Sequence, residues 1–150
     1  MELIYMDGSY RNILVAIDGS KEGKSAFNKA IHLCLQNNAA LFIAHVIDIR
    51  SIATMEAYDV TMTDEAETHA RELLHEYGEA AKGTGIHTVK TIMEFGSPKQ
   101  ALPNEIAEDH QIDLLVCGSS DMNLGERLIR GSVSEKIVRH ANCDVLVVRH

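Results

Sequence analysis

Along the chain, short unbroken apolar runs alternate with stretches in which apolar residues recur every three or four positions. Asn12-Ile13-Leu14-Val15-Ala16-Ile17 is nearly all apolar, the pattern of a strand covered on both faces of a parallel sheet. It stops at Asp18-Gly19-Ser20. Gly23, Ala26, Phe27, Ala30, Ile31 and Cys34 then recur at helical spacing, with Ser20 suited to the N-cap and Asn37-Asn38 to the stop. Leu41 to Ile47 predicts a second buried strand, and residues 48–61 have no clean period and read as a loop or short irregular helix. Thr63 is placed to cap a second helix whose Ala66, Ala70, Leu73, Leu74, Tyr77 and Ala81 form an apolar stripe.

Gly83 and Gly85 end that helix, and Ile86 to Phe95, rich in β-branched residues but mixed with His87, Lys90 and Glu94, predicts an edge strand. Ser97-Pro98 then caps and opens a helix. Pro103, one turn in, lacks the backward-bonding N–H, which predicts a kink or a helix that effectively begins near residue 103. Asp113 to Gly118 is a fourth buried strand, and Asp144 to Val148 a fifth. Between them Ser132-Val133-Ser134-Glu135 reads as a capping box whose helix runs to about His140. The β-α-β-α-β-α-β-α-β order defines an α/β fold, a five-stranded parallel doubly wound sheet with helices on both faces. No linker, repeat or low-complexity tract interrupts it, so residues 1–150 are expected to form a single domain, with 1–10 an irregular extension.

In such a sheet, ligands sit outside the carboxyl ends of the strands, where strand order reverses. Two strand ends carry distinctive chemistry: Asp18-Gly19-Ser20 after the first, and Gly118-Ser119-Ser120-Asp121 after the fourth. The latter leads, past Gly125, Arg127 and Arg130, into Gly131-Ser132 at a helix start, where free N–H groups favour an anion such as phosphate. No GxSxG elbow, GxxxxGK[ST] loop or GxGxxG after the first strand is present, which argues against hydrolase, standard NTPase and dinucleotide readings. The eight histidines form no metal motif. His45, at the end of its strand, is expected to be packed rather than ligating.

Charge and composition narrow the partners. Fourteen Lys and Arg face 22 Asp and Glu, a net charge of −8, which disfavours a broad nucleic-acid face or an anionic lipid surface. No apolar run approaches the roughly 20 residues needed to cross a bilayer, and the acidic start at Met1-Glu2 is unlike a signal peptide. Three cysteines, none in a CxxC pair, fit packed thiols. A cytoplasmic location is the expectation.

The chain resembles the universal stress protein family over essentially its whole length. The resemblance rests on Asn12 to Asp18, on Leu41 to Asp48 (LFIAHVID), on Asp113 to Gly118, and on Gly131-Ser132-Val133-Ser134-Glu135-Lys136 followed by Cys143 to Arg149. It implies an adenine-nucleotide alpha-hydrolase-like fold with strand order 3-2-1-4-5, usually a homodimer paired through the C-terminal strand, that acts in stress tolerance. Members that bind ATP carry G-x2-G-x9-G-[S/T]. Gly118 matches the first glycine and Gly131-Ser132 the last pair, whereas Asp121 replaces the second and sets a carboxylate beside the phosphate path.

By that resemblance Ala16 and Asp18 belong to the nucleotide site, Asp18 near the ribose or a nucleotide-bound Mg²⁺, with Leu41 backbone near adenine. Gly118, Gly131, Ser132, Val133 and Ser134 would meet phosphates or ribose, past Asp121. The implied function is a stress-response switch that binds ATP or a related adenine nucleotide, with at most slow hydrolysis and no catalytic residue assigned. The alternative is a nucleotide-independent dimeric interaction protein in which Asp121 disfavours ATP.

Overall fold

The computed structural model describes residues 9–48, 60–119 and 132–149. Five strands form one parallel sheet: β1 (Asn12–Ala16), β2 (Ala40–Asp48), β3 (Val89–Gly96), β4 (Leu114–Gly118) and β5 (Asp144–Val148), in the order β3-β2-β1-β4-β5. This is the 3-2-1-4-5 order expected. Ile13, Leu14 and Val15 are fully buried because β1 has a strand on each side and helices on both faces. Here three consecutive apolar residues alternate between two cores, which is why a continuous run rather than an alternating one marks the strand.

One face carries α1 (Lys21–Asn37) and α2 (Val60–Lys82). Ala26, Phe27, Ala30 and Cys34 of α1 and Leu74 and Ala81 of α2 share a core with Ile13, Val15, Leu41 and Ile43. Phe27 and Tyr77 meet edge to face at 4.6 Å between ring centroids. Ser20 caps α1 by accepting from Gly23 N–H at 3.0 Å, and Asn38 ends it in the left-handed conformation at φ 53°. α2 begins earlier than the Thr63 cap predicts. Thr63 sits inside its first turn, since no Gly or Pro precedes it to stop the helix from extending back to Val60.

The other face carries α3, residues 98–109, and α4 (Ser132–His140). α3 opens as Pro98–Gln100 after an extended Ser97, passes through a π-helical turn at Ala101–Ile106, and closes as Ala107–Asp109. Pro103, fully buried, lies within the wide turn. The expected kink is thus a change of winding: a proline both lacks a donor and crowds the preceding turn, and a wider helix relieves both. Leu102, Ile106, Ala107 and Ile137 pack on Leu14, Phe42, Val46 and Leu115. β3 begins three residues later than expected, at Val89, while Ile86 packs into the core just before it. Cys34 and Cys117 are buried and Cys143 half-buried, all with free thiols.

Candidate functional site

Strand order reverses between β1 and β4, and there a cavity of about 280 Å³ opens at the strands' carboxyl ends. Its walls are mostly apolar: Ala16 and Ile17 from β1 and its exit, Ala44 and Val46 from β2, Pro98 and Leu102 from α3, Cys117 from β4, and Val133 and Ile137 from α4. The polar margin is Asp18, Ser20, Glu22, Gly23 and Gly118. A small apolar slot edged by carboxylate and backbone suits a flat, weakly polar ring with a hydroxylated or charged appendage.

The turn from β1 to α1 holds Asp18 in place. Gly19 takes φ +85°, a left-handed conformation open to glycine at no steric cost. Asp18 Oδ1 accepts from Ser20 N–H at 2.9 Å and from the Ser20 hydroxyl, while that hydroxyl oxygen accepts from Gly23 N–H. Oδ1 is thus the oxygen that builds the turn, and Asp18 is exposed at the cavity margin. A Cβ on Gly23 would come within 2.8 Å of Asp18 Oδ1, so the missing side chain there is what lets the carboxylate fold back over the helix start. Burial raises the Tyr77 phenol above its usual range, helped by the charges of Glu76 and Asp18.

The structure brings together Ala16, Asp18, Gly118 and Val133 of the sequence-predicted set. Ser134 lies half-buried on α4 outside the cavity lining, and Ser132 is the first helical residue. Asp121 and Gly131, like Gly125, Arg127 and Arg130, fall outside the described residues. Leu41 is a correction. It pairs with Ile13 and Val89 at the amino ends of the strands, is fully buried, and its N–H is used by the Thr88 carbonyl at 2.9 Å. The β2 residues at the cavity are Ala44 and Val46, three and five positions along. The rule that ligands sit at carboxyl ends contained the signal for them. Leu102 had no such signal, because the π turn alters the helical phase that would place it.

His45 is half-buried, and its Nδ1 lies 2.8 Å from the Ile17 carbonyl oxygen at the cavity rim. Among the described residues no group of three or more His, Cys, Asp or Glu is placed to hold a metal ion, and no helix is long and apolar enough to cross a membrane.

The chain is an α/β protein built on a doubly wound parallel sheet, with an apolar cleft at its switch point and an acid after the first strand. The chain belongs to the universal stress protein family, whose model matches residues 9–149. It is 48% identical over 141 residues to a universal stress protein of Staphylococcus haemolyticus, covering 94% of this chain and 86% of that one. It superposes on universal stress protein UspA from Lactobacillus plantarum with a TM-score of 0.80 at 28% identity, over 95% of this chain and all of the other. It also resembles a universal stress protein in complex with cAMP, with a TM-score of 0.70 at 27% identity, over 94% of this chain and 98% of that one.

Proposed function

We propose that this protein binds ATP or a related adenine nucleotide in the switch-point cavity and acts as a stress-response switch by binding rather than catalysis. The observation that carries this reading is the cavity itself, whose apolar walls converge on Asp18 and Gly118. The cAMP complex of a structural neighbour supports the adenine class. The base would lie against Val46, Ala44, Leu102 and Val133, and the Asp18 oxygen outside the turn would accept from a ribose hydroxyl or hold a hydrated Mg²⁺. Bound Mg²⁺ would neutralise phosphate charge, which matters because no Lys or Arg lines the cavity among the described residues. Pairing through β5, an edge strand of half-buried valines and leucine, makes the working unit a cytoplasmic homodimer.

A nucleotide-independent dimeric interaction protein is the second reading. It is favoured by the acidic margin of Asp18 and Glu22 and by Asp121 in the motif's glycine position, where carboxylates oppose an unneutralised phosphate. Isothermal titration of nucleotide-stripped protein with ATP and Mg²⁺, with GTP as control, separates the two. Micromolar, adenine-selective binding supports the first. No heat at several temperatures together with binding restored in Asp121→Gly supports the second.

A further inference from the structure

We infer that His45 is a positioning residue for the Asp18 carboxylate, acting through the carbonyl of Ile17; this rests on the nucleotide reading above. β1 ends at Ala16, yet the acid that faces the ligand stands two residues beyond it, where ladder pairing has stopped. Ile17 bridges that interval with both of its peptide groups tied to β2. Its N–H donates to the Ala44 carbonyl at 2.9 Å, and its own carbonyl accepts from His45 Nδ1 at 2.8 Å. A carbonyl has no proton to give, so Nδ1 carries the hydrogen. Because the peptide is planar, fixing the Ile17 carbonyl also fixes the direction in which the Asp18 N–Cα bond leaves it.

On the far side Asp18 Oδ1 is held by Ser20. The backbone that leads into Asp18 is therefore held from behind by an imidazole and the carboxylate from ahead by the helix cap, with Oδ1 engaged in the turn and Oδ2 outside it. His45 does this from β2, the strand that also supplies Ala44 and Val46 to the cavity wall. One strand thus sets both the slot and the acid at its edge. His45 is not itself among the residues lining the cavity, so its effect on a ligand passes through Asp18.

The test is ATP titration in Mg²⁺ on the full chain, with His45→Leu, His45→Asn and each combined with Asp18→Ala. Asn carries an N–H at the same number of bonds from Cβ as Nδ1, so it retains the donor without the ring. His45→Leu is expected to weaken ATP roughly tenfold, the equivalent of one lost hydrogen bond, while His45→Asn stays within about threefold. In the Asp18→Ala background the Leu substitution adds no further loss. A full-size loss in that background, or equal losses for Leu and Asn, overturns the inference while leaving nucleotide binding intact. Wild-type protein that binds no nucleotide overturns both. Nitrogen-15 NMR of the unmutated protein reads the bond without any variant. A protonated Nδ1 is expected in the neutral ring, and an Nε2–H tautomer with bare Nδ1 overturns the arrangement.

Discussion

A Cβ built on Gly118 would lie 2.7 Å from the carbonyl carbon, the carbonyl oxygen and the Cβ of Glu22. The first turn of α1 therefore rests directly on the last residue of β4. Two of the three neighbours are backbone atoms, which cannot swing aside. The first glycine of the nucleotide motif is thus required by packing before any ligand arrives.

Gly118→Ala is accordingly expected to destabilise the ligand-free protein by about 1–3 kcal/mol, the usual cost of forcing volume into a close-packed contact. Urea denaturation of the stripped protein measures it. Stability equal to wild type would mean that α1 shifts freely on β4.

Leu41 and Val46 lie at opposite ends of β2, and truncating each should have a different consequence. Leu41→Ala removes a fully buried side chain and is expected to cost about 2–5 kcal/mol of stability. Its direct effect on nucleotide affinity should be absent at temperatures where it is folded. Val46→Ala opens the cavity wall and should weaken ATP severalfold. Parallel melting and titration of the two variants decide the matter, and a binding loss confined to Leu41→Ala would move the site to the other end of the sheet.

Filling the cavity should weaken binding without unfolding the chain. Leu102→Phe adds bulk at the π-helical wall, and it is expected to reduce ATP affinity on the order of tenfold or more, about 1.4 kcal/mol per decade. Undiminished affinity with a folded far-ultraviolet spectrum would place the base elsewhere.

Ser20 caps α1 and also donates to Asp18, so Ser20→Ala touches both stability and the site. The lost cap is expected to cost about 1 kcal/mol. A Ser20→Gly variant should cost only a few tenths by the cap alone, and any larger loss of ATP affinity in it would report the hydroxyl's hold on Asp18, since the backbone N–H of residue 20 still donates to Oδ1. Thermal melts and titrations of the pair measure the two contributions separately.

The buried thiols make stability fall at high pH. Burial pushes Cys117 up to about 11 and Cys34 up to about 12, from an ordinary value of 9.0. Below pH 9 both folded and unfolded chains hold these protons, and the thiols contribute no pH dependence. Above it the unfolded chain releases protons that the folded chain keeps, so unfolding is favoured as pH rises toward the folded values. Burial also raises Cys143, with the charges of Asp144 and Asp113 adding to it. Urea midpoints under reducing conditions should therefore drop between pH 9 and about 12, from the ordinary thiol value to the folded ones, and the drop should shrink in Cys117→Ala. A midpoint independent of pH across that window would show that the thiols ionise as readily folded as unfolded.

Strand identity was legible in the chain because each central strand is buried on both faces. Ile13-Leu14-Val15 must be apolar at every position to sit between two cores. The α1 cap was equally legible, since Ser20 satisfies a backbone donor three residues on and needs nothing from elsewhere in the fold. The start of α2 was not, because a threonine can cap a helix or ride inside its first turn, and the local sequence favours neither strongly. Pro103 announced a disturbance but not its form. Whether the helix breaks or widens depends on Leu102 and Ile106 finding places against Leu14 and Leu115.

What the sequence alone determined is therefore local or periodic: which runs form strands, where glycine and serine punctuate them, and that an acid follows the first strand. These follow from burial on a face and from hydrogen bonds a few residues long. The tertiary structure alone decided that Val46 rather than Leu41 reaches the cavity, that Gly118 is held against Glu22, and that His45 grips the Ile17 carbonyl from 28 residues away. Each of those joins atoms distant in sequence. Such contacts depend on strand register and helix packing, which periodicity constrains to a face but not to a neighbour.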